Sequence, residues 1–311
     1  MNTNLKVHIL CGAESGEHDV SVKSAEAVFN VLKNHYATHM WELTRNALPE
    51  NLDPDKDFIF PLIHGDFGED GTLQALLEAR GFCFVGSHSE TSRICINKMQ
   101  SKSLAKAIGI PVLPAIELVP GESIDYDKVL ALLGSEKCVL KPTDKGSSIG
   151  VHLLDSFAQL EEVWQSINQG HWMLEKQVTG RELSLGVVQG QALGVVEIRP
   201  KHGFYDFKNK YTVGACEYFS PAPISNTLTE QLRTYAARFF ERAHCLDFAR
   251  ADFIMDENEH VWFLEMNTVP GMTAQSLLPK SAACFGISFE ALIESLVHST
   301  LERYKEDGKN R

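Results

Sequence analysis

The chain has 311 residues, of which 44% are hydrophobic and 23% are charged. This composition is typical of a folded protein, and the length predicts roughly two to four domains. The 29 basic and 41 acidic residues give a formal net charge of −12. That balance argues against a general nucleic-acid or anionic-membrane binder, because such surfaces need clustered lysines and arginines. A small anionic ligand needs only a few local cations.

The sequence contains no sign of a membrane segment or a signal peptide. No apolar run approaches the roughly 20 residues that span a bilayer, and the short apolar stretch over 7–11 precedes no small-residue cleavage site. The seven scattered cysteines lack a C-x-x-C spacing, which predicts reduced thiols. We therefore expect a cytoplasmic protein that binds neither nucleic acid nor membrane.

Strand and helix patterns alternate over residues 1–90, which predicts a parallel, doubly wound sheet. A helix capped by Asp19 or Ser21 is expected after the first strand. A second helix ends at Gly81, a favourable C-terminal glycine. The predicted strands cover 6–11, 38–43, 57–63 and 82–85, and the predicted helices cover 21–34 and 72–80.

The remaining chain contains fewer regular patterns. A long helix over 89–108 predicts a domain boundary near residues 90–110. The polar segment 201–220 is long for a loop and is typical of a lid. The other predictions are strands over 138–141 and 171–176, hairpins over 182–198 and 250–267, and helices over 228–244 and 288–303.

The second hairpin carries the most informative polar residues. Side chains alternate along strands, so Arg250 shares a face with Asp252, and Glu265 with Asn267. A turn centred on 257–258 would pair Arg250 with Glu265 and bring all four side chains to one face. Two carboxylates and an amide oxygen suit Mg²⁺ shared with phosphates, and the arginine could stabilise developing charge. The alternative is a salt-bridged sheet face.

Three further segments suggest ligand contacts. Lys141 precedes a Gly/Ser loop over 146–150, whose backbone N–H groups could wrap phosphates, although neither a Walker A nor a G-x-G-x-x-G pattern is present. The run 175–182 could meet an adenine edge and ribose. Glu17 and His64 follow predicted strands, where α/β sheets bind ligands, and could meet an ammonium and a carboxylate. The alternatives are a flexible turn, a solvated turn and helix-capping acids.

Together these segments resemble the D-alanine–D-alanine ligases of the ATP-grasp superfamily over residues 7–296. The matching motifs are S-x-E-x-[ED]-V-S at 15–21, H-G-x-x-G-E-D-G at 64–71, K-P-x-x-x-G-S-S-x-G at 141–150, F-Y-D-[FY]-x-x-K-Y at 204–211, R-x-D at 250–252 and E-x-N-T-x-P-G-M-T at 265–273.

The resemblance implies an α/β fold of three domains, α+β in its ATP-grasp part, with an N-terminal doubly wound parallel sheet. The expected ranges are 1–97, 98–181 and 182–311, with an ω-loop over 201–220. It also implies a homodimer that joins two D-alanines, through an acyl phosphate, for peptidoglycan precursors. ATP would lie between the last two domains with two Mg²⁺ ions, for which Mn²⁺ could substitute.

The family's roles transfer to matching positions. Catalytic roles fall on Glu17, Ser147, Tyr211 and Arg250. Substrate contacts fall on Glu17, His64, Lys210, Arg250, Gly271, Ser276 and Leu277. Nucleotide contacts fall on Lys98, Lys141, Ser147, Ser148, Glu175, Lys176, Val178, Glu182 and Lys210. The two Mg²⁺ ions fall to Asp252, Glu265 and Asn267. Each assignment is implied by the resemblance.

Several positions depart from the family pattern. Ala13 stands where glycine is usual, Asn97 where aspartate is usual, and Gln177 where an apolar or aromatic residue is usual; residues 212–217 form a less acidic loop. Tyr211 favours an amine over D-lactate as the second nucleophile. A ligase for D-serine or D-lactate and a non-catalytic nucleotide-binding regulator remain the alternatives, whereas the missing glycine fingerprint disfavours a Rossmann dehydrogenase.

Overall fold

The computed structural model describes residues 5–201, 212, 214–306 and 308. Its strands form three sheets, each built from a consecutive part of the chain. The strands are β1 (Lys6–Gly12), β2 (Ala37–Leu43), β3 (Asp57–Pro61), β4 (Cys83–Phe84), β5 (Ala115–Leu118), β6 (Cys138–Pro142), β7 (His152–Leu154), β8 (Trp172–Lys176), β9 (Arg181–Val188), β10 (Gln191–Pro200), β11 (Cys216–Phe219), β12 (Phe248–Met255) and β13 (Val261–Asn267). The helices are α1 (His18–Leu32), α2 (Thr72–Ala79), α3 (Ser89–Ile96), α4 (Lys98–Ala107), α5 (Tyr126–Leu133), α6 (Phe157–Gln165), α7 (Asn226–Arg242), α8 (Leu277–Ala283) and α9 (Phe289–Glu306).

The first sheet is parallel, with the strand order β2-β1-β3-β4. Alternate side chains of β1 enter different cores: Ile9 packs with α1 and α9, whereas Leu10 packs with α2. Helices therefore cover both faces, which is the doubly wound arrangement predicted from the sequence.

Helix α1 begins three residues earlier than predicted, and neither expected cap is used. Glu17 occupies the N-cap position without a side-chain capping bond. The Ser21 hydroxyl instead accepts a hydrogen bond from Gly12 N at 2.8 Å and donates one to Leu62 O at 2.6 Å. Ser21 thus joins the helix to two strand ends, and the capping prediction was wrong.

The single helix predicted over 89–108 is two helices, α3 and α4. Asn97 leaves the helical region at φ −77° and ψ 104°. Its side-chain oxygen accepts a hydrogen bond from Gln100 N at 3.0 Å, and so caps α4. The helical periodicity continues across this break, which is why the sequence pattern concealed it.

The central sheet is antiparallel, with the order β5-β8-β6-β7. Four elements of this part of the chain, β5, β7, α5 and α6, were not predicted from the sequence, because these segments are short and their patterns incomplete. The last sheet has the order β11-β10-β9-β12-β13. Part of the predicted lid is thus the edge strand β11, paired with β10, and the short helix α8 was also missed.

Helix α9 packs back onto the first sheet, so one hydrophobic core combines residues near both ends of the chain. Val7 and Phe58 share that core with Leu296 and Tyr304. The predicted domain boundaries stay a prediction. Within the described residues, no helix is long and apolar enough to cross a membrane. No disulfide joins the seven cysteines, all of which lie in the described part of the chain.

Candidate functional site

The hairpin of β12 and β13 brings the four predicted side chains to one face, but in a different register. Arg250 pairs with Asn267, and Asp252 pairs with Glu265. The predicted Arg250–Glu265 pairing was wrong for two reasons. The turn is one residue longer than assumed, and an irregularity next to Asp252 shifts the pairing by one more residue. Since a one-residue shift changes the face of a strand, the bulge places Glu265 beside Asp252.

Asp252 is held from two sides. Arg250 donates to both of its oxygens, from Nε at 2.9 Å and from a terminal nitrogen at 2.7 Å. The Ser184 hydroxyl donates to Oδ1 at 2.6 Å. Lys98 Nζ lies 3.4 Å from Oε2 of Glu265. The face therefore presents two carboxylates whose orientations are set by neighbouring cations and a hydroxyl.

The donor set fits a hard divalent cation. Asp252, Glu265 and Asn267 offer carboxylate and amide oxygens from adjacent strand positions, and Mg²⁺ prefers such oxygens together with phosphate oxygens and water. Among the described residues, no group of three or more His, Cys, Asp or Glu side chains could hold a metal ion. Any cation here would thus need the Asn267 amide or ligands from a substrate.

A cavity of about 450 Å³ lies between the central and last sheets. Apolar side chains such as Val139, Leu183 and Phe253 form much of its wall. The predicted nucleotide and metal residues that line it are Lys98, Lys141, Ser148, Glu175, Lys176, Val178, Glu182, Asp252 and Glu265. The cavity therefore combines an apolar slot with lysines and acids at its rim, which suits an aromatic base joined to phosphates.

Two lysines hold the buried Glu175 carboxylate in the wall of this cavity. Lys141 Nζ donates to its Oε2 at 2.6 Å, and Lys102 forms an ion pair with its Oε1. Burial alone would raise the pKa of Glu175, but Lys141 and Lys102 hold that pKa below its usual value. The carboxylate predicted to contact adenine or ribose is therefore bonded to lysines.

Lys98 links the nucleotide cavity to the hairpin. It is the first residue of α4, and its ammonium donates to Lys145 O at 2.6 Å as well as lying near Glu265. Lys145 in turn forms an ion pair with Asp66 of the N-terminal part. These contacts hold the Gly/Ser loop between the first sheet and the last.

A second cavity, of about 690 Å³, lies between the first and last sheets. The predicted substrate and catalytic residues that line it are Glu17, His64, Ser147, Arg250, Gly271, Ser276 and Leu277. Glu265 lines both cavities. Asn267 lines the second one only, and so the candidate metal residues stand where the two cavities meet.

Loop residues hold Glu17 in the second cavity. The Ser147 hydroxyl donates a hydrogen bond to Glu17 Oε1, which joins the Gly/Ser loop to the first turn. Ser147 and its neighbour Ser148 both have left-handed backbone conformations, with φ of 51° and 58°. The Ser15 hydroxyl accepts from Glu17 N at 3.1 Å and donates to His64 O at 2.8 Å.

His64 is a buried residue in the wall of the second cavity, where it belongs to a polar network. Its Nδ1 lies 2.8 Å from Val269 O and 3.6 Å from Glu69 Oε1. Burial raises the pKa of the Glu69 carboxyl, and nearby Glu17 adds to that effect, although His64 opposes it. No role was predicted for Glu69 from the sequence, although this residue belongs to the H-G-x-x-G-E-D-G motif and lines this cavity.

The segment after β13 brings further polar groups to the cavity. Ser276 Oγ accepts a hydrogen bond from Thr273 N at 3.1 Å and lies 2.9 Å from the Thr273 hydroxyl. A Cβ on Gly271 would approach Ser276 Oγ to 3.0 Å. A glycine thus leaves room for this hydroxyl. Lys210 and Tyr211, predicted to close the site, lie outside the described residues.

The departures from the family pattern have structural counterparts. Ala13 has a left-handed φ of 68°, a conformation that favours the glycine usual there. Asn97 caps α4, as an aspartate could. Gln177 lines the nucleotide cavity, and its buried Oε1 has no hydrogen-bond partner among the described residues.

Comparison with known proteins gives one consistent result. The family models described as D-ala D-ala ligase C-terminus and N-terminus match residues 104–298 and 38–87. The chain is similar to the D-alanine–D-alanine ligase of Methylacidiphilum infernorum, at 37% identity over 99% of this chain and 100% of that protein. The ligase of Syntrophobacter fumaroxidans is 38% identical, with 96% of this chain and 98% of the relative covered.

A solved structure gives the same result. The crystal structure of the Bacillus anthracis D-alanine–D-alanine ligase complexed with ATP superposes with a TM-score of 0.83 at 27% identity. The match covers 97% of this chain and 99% of that one. The family and the ATP-grasp fold inferred from the sequence motifs are therefore confirmed.

Proposed function

Because the chain belongs to the D-alanine–D-alanine ligase family, we propose that it joins two D-alanines while cleaving ATP to ADP and phosphate. The observation that carries the proposal is the position of Glu265, which lines both the nucleotide cavity and the second cavity. A phosphoryl group at that junction would be reachable from either cavity. The family relationship and the ATP complex of the Bacillus anthracis relative support the assignment.

The reaction divides into two steps. A carboxylate oxygen of the first D-alanine attacks the γ-phosphorus of ATP, and the bond to ADP breaks, which gives an acyl phosphate. The amine of the second D-alanine then attacks the carbonyl carbon, phosphate leaves, and the amine loses a proton. The protein mainly has to position the reactants and neutralise charge.

The proposed roles follow the two cavities. Glu17, oriented by Ser147, binds the ammonium of the first D-alanine, and His64 lies near its carboxylate. Arg250 stabilises the negative charge of the tetrahedral intermediate. Ser276 and Gly271 contact the second D-alanine, with Leu277 beside them. Lys210 and Tyr211 are proposed to close the site on the strength of their motif alone.

In the nucleotide cavity, Lys98 and Lys141 balance phosphate charge, and the Ser147–Ser148 loop wraps the phosphates with its backbone N–H groups, with the Ser148 side chain in the cavity wall. The backbone of Lys176 and Val178 meets the adenine edge, with Glu182 at the ribose. Glu175 was expected to take part in base or ribose binding; its contacts favour a role through Lys141.

We propose that Asp252, Glu265 and Asn267 hold Mg²⁺, two ions by analogy with the family, with Mn²⁺ able to substitute. When bound, the metal would offset the charge of the transferring phosphoryl group. Within the chain, Arg250 and Ser184 orient the Asp252 carboxylate, and Lys98 orients Glu265.

A homodimer in the cytoplasm remains part of the proposal. The family resemblance supports the dimer, and the seven cysteines without a disulfide fit a reducing compartment. Light scattering of the purified chain would measure the oligomeric state; a mass near one chain would contradict the dimer.

The test is a phosphate-release assay with ATP and Mg²⁺ across a panel of D-amino and D-hydroxy acids, with products identified by mass spectrometry. We expect D-alanine-dependent release of phosphate and the D-alanyl-D-alanine dipeptide. Mostly mixed dipeptide with D-serine or depsipeptide with D-lactate would contradict the second-substrate assignment. Tight ATP binding without turnover of any acid would point to a regulator instead.

A further inference from the structure

We propose that Lys102 is a positioning residue of the nucleotide cavity. It holds one oxygen of Glu175 so that the other oxygen fixes the ammonium group of Lys141 at the cavity wall. The inference rests on the nucleotide-binding role proposed above. It adds a residue that matches none of the family motifs found in the sequence.

The geometry separates Lys102 from direct ligand contact. Lys102 lies on α4 and is 4% exposed, and Glu175 lies on β8 and is 2% exposed. Lys141 and Glu175 line the nucleotide cavity, but Lys102 is not among its lining residues. Lys102 Nζ contacts Glu175 Oε1 and lies 3.4 Å from Leu113 O. Lys102 therefore reaches a bound nucleotide only through the cavity residues that it contacts, and of these Glu175 is the charged one.

The charges explain why a second lysine is needed. A buried carboxylate paired with Lys141 alone would cancel the charge that the lysine presents to phosphates. With Lys102 added, two ammonium groups face one carboxylate, which leaves one net positive charge beside the cavity. Burial lowers the pKa of Lys102, and Glu175 partly offsets that effect. Burial makes these interactions strong, because little solvent screens them.

The contacts also restrict motion. Each oxygen of Glu175 has its own lysine, so the carboxylate cannot rotate without losing an ion pair. Lys141 Nζ is therefore held at a defined place in the wall. A flexible lysine would lose side-chain entropy when it bound phosphate. With Lys102 in place, much of the side-chain entropy of Lys141 is already lost when the protein folds, before phosphate binds.

The experiment measures binding of a non-hydrolysable ATP analogue with Mg²⁺ to the full chain by titration calorimetry. We expect Lys102→Met to raise the Kd about 10-fold, equivalent to about 1.4 kcal/mol, while the KM for D-alanine stays within about 2-fold. Lys106→Met is the matched control, because Lys106 lies one turn further along α4 and is exposed; its Kd should not change. Melting temperatures verify that each variant folds.

A double-mutant cycle tests the route through Glu175. In a Glu175→Gln background, adding Lys102→Met should change the Kd by less than about 2-fold, because no carboxylate remains to be held. An unchanged Kd in folded Lys102→Met, or an equal loss in both backgrounds, would overturn the proposal. If Lys102→Met alone does not fold, Lys102→Gln takes its place in the same cycle, and an unchanged Kd in that folded variant refutes the proposal. Failure of the wild-type chain to bind the analogue would instead refute the nucleotide site itself.

Discussion

The two cavities hold their charged groups in different ways. In the nucleotide cavity, Glu175 and Lys141 stand on adjacent strands of the central sheet and pair through buried charges. In the second cavity, Glu17 and Ser147 come from loops, and a hydrogen bond across two parts of the chain aligns them. The first cavity is thus arranged by regular structure, whereas the second depends on how loops meet. Substitutions in the nucleotide cavity should therefore change nucleotide binding, and substitutions in the second cavity should change D-alanine binding.

Glu265 lines both cavities, so we expect its substitution to lower kcat more than any other substitution considered below. We expect Glu265→Gln to lower kcat by roughly 10³-fold, on the scale of losing an electrostatic stabiliser of the transition state, because the amide weakens Mg²⁺ binding. The melting temperature should stay close to wild type, since the substitution keeps the shape of a partly exposed side chain. A variant with wild-type kcat in the phosphate-release assay would remove Glu265 from the metal site.

Adjacent serines offer a sharper test of the comparison. Ser147 lines the second cavity and Ser148 lines the nucleotide cavity. We expect Ser147→Ala to raise the KM for D-alanine by about 10-fold, since a hydrogen bond to a charged group contributes roughly 1.5–3 kcal/mol, and to leave ATP binding nearly unchanged. Ser148→Ala is the control. In ATP and D-alanine titrations, it should weaken ATP binding and leave the KM for D-alanine nearly unchanged. The same pattern in both variants would mean that the loop acts as one unit.

A charge cluster on β9 and β10 tests how much strand-held ion pairs stabilise the fold. Glu197 is fully buried and accepts hydrogen bonds from Arg181 and Arg199. We expect Glu197→Gln to reduce the free energy of unfolding by about 1–3 kcal/mol at pH 7, as for a charged hydrogen bond. Glu230→Gln is the control, because the Glu230 carboxylate that pairs with Arg233 is largely exposed and ion pairs of exposed groups contribute about 0–1 kcal/mol.

The same cluster predicts a pH dependence with a definite sign. Burial opposes ionisation of Glu197, but the two arginines hold its pKa below the ordinary 4.5. The stabilisation is therefore complete above pH 4.5 and is lost as the pH falls through the lower folded-state pKa. The difference between wild type and Glu197→Gln, measured by urea unfolding, should shrink as the solution is acidified below pH 4.5. A difference that grew with acidification would contradict this assignment.

Substitution of Gln177 should have the smallest effect, and it should change binding at the nucleotide cavity only. Its buried Oε1 lacks a partner among the described residues, and an unmade hydrogen bond in a buried setting costs roughly 1–3 kcal/mol. We expect Gln177→Leu to raise the melting temperature slightly and to change the Kd for the ATP analogue by less than about 5-fold, since one such contact is worth roughly 1 kcal/mol. A larger loss of affinity would show that the amide contacts the base.

Regular elements were largely predictable from the sequence, and the reasons can be seen in the first sheet. Ile9 and Leu10 lie in different cores, and the apolar run that contains them is typical of a strand covered on both faces. The break between α3 and α4 at Asn97 was not predictable from periodicity, because the helical spacing of polar and apolar residues continues across it. The hairpin face was predicted, but its register was not, since neither turn length nor bulge leaves a local pattern.

The candidate site was predictable where a motif surrounds it and not elsewhere. Glu17 and Ser147 are far apart in the chain, and only the family resemblance linked them before the structure placed them in contact. Lys102 has no motif of its own; its spacing of four residues from Lys98 on one helix was the only signal. Its partner Glu175 lies on a strand distant in sequence, so its role required the tertiary arrangement.

The packing of helix α9 against the first sheet has a consequence for the order of biosynthesis. Leu296 and Tyr304 complete the core that Val7 and Phe58 begin. While the ribosome is still translating the middle of the chain, helix α1 alone covers that face of the sheet, and the part that meets α9 stays exposed. The N-terminal core is therefore completed only after residues 289–306 emerge from the exit tunnel.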